Sequence, residues 1–203
     1  MPPLFSDSHA TRSTLLLRLR LDAPAREIAW QEFYEYYGPL IGGFARKMGA
    51  ASDVIEDVIQ DVLLGFFSVS PEFTYDPSLG RFRGYLKTCT WRKLQKQLDA
   101  KLQFGARRVC DLDPADLQVD AIWVDIWERE KLYRAVNMVR GQYSARPDKM
   151  KTFQAFEMYV MLERPPEEIA KELGMSVDSV HQAKSRVTKA LRQTMEAIDA
   201  FAD

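Results

Sequence analysis

The stretch 165-PPEEIAKELGMSVDSV-180 decides the fold class, because it predicts two helices joined by a tight turn. Proline suits the first turn of a helix, where its missing N–H group costs nothing. Gly174 is predicted to end the first helix, since glycine adopts the left-handed conformation needed there at little cost. Ser176 then caps the second helix with its hydroxyl group. The small residue Ala170 allows the two helices to pack closely.

The second helix continues beyond this stretch with two contrasting faces. Its apolar stripe contains Val177, Val180, Ala183, Val187, Ala190 and Leu191. Its outer face carries side chains that can contact base edges and phosphates, namely His181, Gln182, Ser185, Arg186 and Lys189. The arrangement is typical of a DNA-binding helix-turn-helix with the reading helix second. A plain helical hairpin with a solvated outer face is the alternative, and His181 is then an ordinary surface residue.

The rest of the chain shows helical periodicity and few strand signals, which predicts an all-α fold. An early helix is expected to bend or break at Gly38-Pro39. Further helices are predicted at residues 54–67, 82–102, 122–141 and 150–162, with Ser52 or Asp53 as the cap of the first of these. The predicted organisation is a first domain at 1–103, an acidic linker at 104–121 and a second domain at 122–203.

The composition excludes several classes of protein. The 203 residues include 28 Lys+Arg and 29 Asp+Glu, and the two cysteines and two histidines argue against a disulfide scaffold or a zinc module. No apolar run predicts a signal peptide or a membrane span, so we expect a cytoplasmic protein that does not associate with a membrane. We also expect no cofactor, no metal and no catalytic site.

The charges are segregated along the chain although the net charge is only -1. Residues 50–80 contain six acidic and no basic residues, residues 81–108 contain nine basic and one acidic, and residues 109–130 contain seven acidic and one basic. A surface without a charged partner would more often mix the signs locally. The pattern therefore favours separate surfaces for a basic partner and for nucleic acid.

The basic segment is interleaved with aromatic residues, including Phe82, Tyr85, Trp91 and Phe104. Aromatic rings stack on unpaired bases while lysine and arginine follow the phosphate backbone, so the combination suits single-stranded nucleic acid. The alternative places Phe82, Tyr85, Leu86 and Cys89 in the core. The pattern alone leaves both roles open for the aromatic residues, whereas Leu86 and Cys89 are expected in the core.

The preceding acidic helix places polar side chains on one side, namely Asp53, Glu56, Asp57, Gln60 and Asp61. This side is interpreted either as a docking surface for a basic partner or as a solvated face. Acid–base catalysis ranks third, because no histidine, cysteine or glycine-rich loop accompanies the carboxylates.

Taken in order, these segments resemble a bacterial RNA polymerase sigma factor of the extracytoplasmic-function (ECF) type, over about residues 14–192. Residues 56–62, EDVIQDV, resemble the helix that docks on the largest polymerase subunit. Residues 80–88, GRFRGYLKT, resemble the segment that melts the promoter and holds the minus-ten element. Residues 169–191 resemble the reader of the minus-thirty-five element. Many relatives have Arg-Asn in place of Trp91-Arg92, which bears on the minus-ten base preference.

The resemblance implies a promoter-specificity subunit without an active site. Its implied partners are core RNA polymerase, promoter DNA both as duplex and as melted non-template strand, and an anti-sigma factor as a candidate regulator. The implied polymerase contacts are Asp57, Gln60 and Asp61. The implied minus-ten contacts are Tyr85, Lys87, Trp91, Arg92 and Lys93, and the minus-thirty-five contacts are His181, Gln182, Ser185, Arg186 and Lys189.

The core of the second domain is expected to contain four apolar or aromatic residues that also share in docking the polymerase flap, namely Phe153, Phe156, Tyr159 and Leu162. The runner-up is a free-standing helix-turn-helix transcriptional regulator.

Overall fold

The computed structural model describes residues 12–74, 76, 82–102 and 117–200, and these residues form helices and connecting turns without a strand. The predicted all-α class is therefore confirmed. In chain order the helices are α1 (Arg12–Arg18), α2 (Ala25–Lys47), α3 (Ser52–Val69), α4 (Phe82–Leu102), α5 (Leu117–Ser144), α6 (Pro147–Phe156), α7 (Pro166–Leu173) and α8 (Val177–Ala200), with a π-helical segment at Glu157–Met161 after α6. Within the described ranges, no helix combines the length and the apolar character needed to cross a membrane.

The chain divides into two compact units, one containing residues 1–130 and 201–203 and the other residues 131–200. The division falls inside α5. Most of the predicted acidic linker at 104–121 lies outside the described residues. The part that is described, 117–121, forms the beginning of α5.

The core of the first unit is built on α2, α3 and α4. On α2 the side chains of Phe33, Tyr37, Ile41 and Phe44 are completely buried. The apolar side of α3 faces this core, with Val54, Ile55, Val58, Val62, Leu63 and Phe66 buried. The first half of α5 covers the same core, because Val119, Trp123 and Trp127 are buried in it.

The structure bears on two local expectations about the first unit: α2 has no break at Gly38-Pro39, and the predicted cap of α3 was wrong. Helix α2 runs through Gly38-Pro39 without a break, because the neighbouring residues Tyr37 and Leu40 are buried in the core and outweigh one lost backbone hydrogen bond. Helix α3 begins at Ser52 rather than after a Ser52 or Asp53 cap. Its N-cap residue is Ala51, and no side chain caps it.

In the second unit, the geometry of α7 and α8 agrees with the local signals. Gly174 has φ 63° and ψ 46°, the predicted left-handed conformation. The Ser179 N–H group donates to Ser176 Oγ at 3.1 Å, which is the predicted cap. Ile169, Val180 and Ala183 are buried together between the two helices.

The preceding segment follows the prediction less closely. Phe153 and Phe156 are buried and Tyr159 is partly buried, as a core role requires. Leu162 is 65% exposed, so its predicted place in the core was wrong. It directly follows the π-helical segment, at the point where the chain turns towards α7.

Candidate functional site

The acidic side of α3 is exposed. Asp57 and Gln60 lie opposite the buried stripe, together with Asp53 and Glu56. Leu64 follows Gln60 by four residues, on the same side of the helix, and is 61% exposed. Sequence reasoning missed Leu64, although an apolar residue in register with a polar stripe was a usable signal. The surface therefore combines negative charge with an apolar contact point.

Asp61 differs from the other two predicted polymerase contacts, because it faces α4. Its Oδ2 atom lies 3.8 Å from Lys93 Nζ and accepts a hydrogen bond of 3.4 Å from Gln97 Nε2. Both members of the Asp61–Lys93 pair are 39% exposed. The pair links the edge of the acidic surface to the basic helix α4. Asp61 is a predicted polymerase contact and Lys93 a predicted minus-ten contact, so these two predicted contact residues bind each other in the free chain.

The cations of α4 lie on different sides of the helix. Lys87 forms an ion pair with Asp120 of α5, and the Arg83 guanidinium lies 5.7 Å from the ring centroid of Trp127. Arg92 and Lys96 are exposed and make no ion pair with any described residue. The available positive charge on α4 is therefore smaller than the sequence suggested.

Trp91 belongs to the core, which corrects its predicted role as a minus-ten contact. Its side chain is 1% exposed and packs edge-on against Phe44, with ring centroids 6.4 Å apart. A ring enclosed in this way cannot stack on a base. Leu94, three residues later, is also fully buried, so Trp91 continues the buried stripe of α4.

Tyr85 lies at the border between core and solvent. Its ring is 5.5 Å from Phe73 and 5.8 Å from Phe82, yet the residue is 40% exposed. Burial raises the pKa of Tyr85 to about 12, and a hydrogen bond with Cys89 adds to the shift. The phenol is neutral near pH 7, as an ordinary tyrosine also is, so it does not repel a phosphate backbone.

An exposed strip on α4 joins Tyr85 to the two available cations. Arg92 follows Tyr85 by seven residues and Lys96 follows Arg92 by four, which places all three on one side of the helix. We call Tyr85, Arg92 and Lys96 the α4 strip. Lys96 was not among the predicted contacts, although the same spacing identifies it.

All five predicted minus-thirty-five residues on α8 are exposed, namely His181, Gln182, Ser185, Arg186 and Lys189. Arg186 Nη2 donates to Gln182 Oε1 at 3.1 Å, and Gln182 Nε2 donates to Asp178 Oδ2 at 3.3 Å, so these side chains form a chain along one side of the helix. A shallow groove of about 520 Å³ lies beside them, lined by His181, Lys184, Ser185, Thr188, Lys189 and Arg192. Lys184 and Arg192 add cations that were not among the predicted contacts.

None of the described residues forms a cluster of three or more histidine, cysteine, aspartate or glutamate side chains with metal-binding geometry. The candidate surfaces contain charged, amide, hydroxyl and aromatic groups. Such groups suit recognition of a macromolecule.

The comparison with known families agrees with this arrangement. Residues 33–101 match the family model described as sigma-70 region 2. The matched segment contains most of α2, all of α3 and nearly all of α4, and it therefore includes both the acidic surface and the α4 strip. No significant match relates the chain to a curated protein or to a solved structure. The match covers residues 33–101 of the 203, and it supports a sigma factor role in RNA polymerase binding and transcription initiation.

Proposed function

We propose that this chain is an ECF-type sigma factor that binds core RNA polymerase and directs it to promoters with specific minus-ten and minus-thirty-five elements. The observation that carries the proposal is the region 2 match over residues 33–101, because it unites the acidic helix and the basic aromatic helix in one family segment. The proposal includes action in the cytoplasm and an anti-sigma factor as a candidate regulator.

The acidic surface of α3 docks on the polymerase. Asp57 and Gln60 point away from the core, and exposed Leu64 adds apolar area beside them. Complementary charge brings a basic partner surface to this helix and sets its orientation. Asp61 contributes after it exchanges Lys93 for a cation of the partner.

The α4 strip binds the melted non-template strand. Tyr85 offers a neutral aromatic ring for stacking on a base, while Arg92 and Lys96 contact phosphates along the same side. Base stacking is worth about 1–3 kcal/mol, and the phosphate contacts add a salt-dependent part. Lys93 joins this contact when Asp61 releases it. Lys87 lies on another side of α4, so it adds a phosphate contact only where the strand passes beyond the α4 strip and Asp120 releases the lysine.

The α7–α8 pair acts as a DNA-binding helix-turn-helix. Its second helix presents His181, Gln182 and Arg186 to solvent, and Lys189 lies further along the same helix. Amide and guanidinium groups recognise the edges of adenine and guanine in the major groove. The shallow groove lined by further cations supplies phosphate contacts.

The experiment that tests the proposal measures association with purified core RNA polymerase and run-off transcription from a randomised promoter library. Asp57→Lys should weaken association about tenfold or more, because it places a positive charge against a basic surface. Glu35→Lys makes the same charge change on α2, at another exposed position of the first unit, and should have little effect.

A chain that does not associate with core polymerase, yet binds closed duplex by itself, would contradict the proposal and identify a free-standing regulator instead. Equal losses for Asp57→Lys and Glu35→Lys would show that the net charge matters and that α3 is not the docking surface.

A further inference from the structure

Tyr159 contacts the proposed reading side of α8 from outside that helix. Its ring centroid lies 5.5 Å from that of His181, and the two ring planes meet at 77°. Lys184 Nζ lies 5.1 Å from the centroid of the same tyrosine ring. One aromatic ring thus contacts two side chains that both line the shallow groove of α8.

The position of Tyr159 is set by its backbone. Tyr159 lies in the π-helical segment Glu157–Met161, in which the Leu162 N–H group donates to the Glu157 carbonyl oxygen at 3.0 Å. The following bond, from Arg164 N–H to Met158 O at 3.0 Å, closes the turn towards α7. Such widened turns occur often at functional sites, because they redirect a side chain that a regular α-helix would place elsewhere.

The apolar body of Tyr159 is held at the same time. It packs against the buried cluster that joins α7 to α8, which includes Ile169 and Val180. The core of the second unit therefore holds the Tyr159 ring in place, and the same ring also contacts the exposed side chains of His181 and Lys184 on α8.

We propose that Tyr159 is a positioning residue for promoter reading, which holds His181 and Lys184 in the orientation in which they meet DNA. The inference rests on the proposed function, namely that α8 reads duplex DNA. An edge-on aromatic contact orients the imidazole ring, and a cation–π contact orients the ammonium group. Side chains ordered in advance lose less conformational freedom on binding, which improves affinity for the correct sequence.

The test compares Tyr159→Leu with Tyr159→Phe in the full chain. Phenylalanine keeps the ring and both ring contacts, whereas leucine keeps apolar volume without a ring. The probe is the promoter duplex that the unaltered chain selects from a randomised library in complex with core RNA polymerase, measured against duplexes with single base-pair changes. Tyr159→Leu should reduce discrimination about two- to fivefold at the base pair that His181→Ala also affects, and Tyr159→Phe should keep it.

A second readout does not require DNA. The ring of Tyr159 shifts the NMR signals of the His181 ring protons, and the chain has two histidines, His9 and His181, so His181→Ala assigns the signals. Tyr159→Leu should move these signals towards those of a solvated histidine, while Tyr159→Phe should leave them nearly unchanged. Thermal unfolding of each variant shows whether the fold is retained.

The outcomes separate this inference from the proposed function. If Tyr159→Leu moves the His181 signals but discrimination stays intact, Tyr159 does not position a reading residue and the inference is wrong. Loss of discrimination in Tyr159→Phe as well would exclude the ring contacts as the cause. If the complex of the unaltered chain with core polymerase selects no upstream sequence, or if His181→Ala and Arg186→Ala change nothing, the role of α8 itself is refuted.

Discussion

Asp120 and Lys87 form an ion pair between α5 and α4, and we expect the carboxylate to compete with DNA phosphates for the lysine. Replacing Asp120 with asparagine removes the negative charge and keeps the size of the side chain. Lys87, which lies on another side of α4 than the α4 strip, then becomes available to a DNA phosphate, so Asp120→Asn should bind single-stranded DNA more tightly than the unaltered chain.

The exposure of the two side chains bounds the size of this effect. Lys87 is 16% exposed and Asp120 47%, so the pair is partly solvated. Solvated pairs contribute about 0.2–1 kcal/mol in double-mutant cycles. Removing the competitor should therefore tighten binding by about 1.4- to fivefold. One additional phosphate contact should also steepen the dependence of log affinity on log salt by about 0.7.

Fluorescence anisotropy with a labelled single-stranded oligonucleotide measures both quantities, in a titration repeated at about 50 to 200 mM salt. Asp125→Asn is the control, because it makes the same charge change on the same helix, while Asp125 pairs with Arg129 one turn away on α5 itself. Equal tightening by both variants would show that only net charge matters. An unchanged salt slope in Asp120→Asn would show that Lys87 does not reach the strand.

Two further predictions concern the two units separately. Trp91→Ala should destabilise the first unit by about 3–5 kcal/mol, because it removes a fully buried ring, and urea denaturation measures the loss. If Trp91→Ala leaves the free energy of unfolding unchanged but abolishes binding to the single strand, Trp91 is a DNA contact and the core assignment is wrong. Arg186→Ala should cost about 1–3 kcal/mol of discrimination at one base pair, because its exposed guanidinium is placed to reach a base edge. Binding to single-base-pair variants of the selected duplex measures this loss, and an equal loss on all sequences would assign Arg186 to a phosphate instead.

The turn between α7 and α8 was readable from a few neighbouring residues. A left-handed glycine at Gly174 and a hydroxyl cap at Ser176 depend on backbone conformation within one turn, so their signals are local. The exposed side of α8 followed in the same way, because a regular helix separates its faces by residue spacing alone. The predicted exposure of His181, Gln182 and Arg186 is accordingly confirmed, whereas their role in reading DNA stays a prediction.

Predictions from neighbouring residues were less accurate where packing against distant parts of the chain decides the structure. Pro39 was expected to bend or break α2, but Tyr37 and Leu40 beside it are buried in the core and the helix continues without a break. The sequence around Trp91 is compatible with two roles, a residue that stacks on a base and a residue of the core. Phe44, which comes from another helix, packs against it and places it in the core.

The amino-acid sequence by itself determined the helical class, the segregation of charge and which side of each amphipathic helix is polar, because these depend on residue types and their spacing. Only the tertiary structure decided which cations of α4 stay available. Lys87 and Lys93 are engaged by Asp120 and Asp61, which lie 33 and 32 residues away along the chain, while Arg92 meets no such partner among the described residues. Ionic attraction acts through distance in space, and helical periodicity carries no information about which remote carboxylate the fold brings within reach.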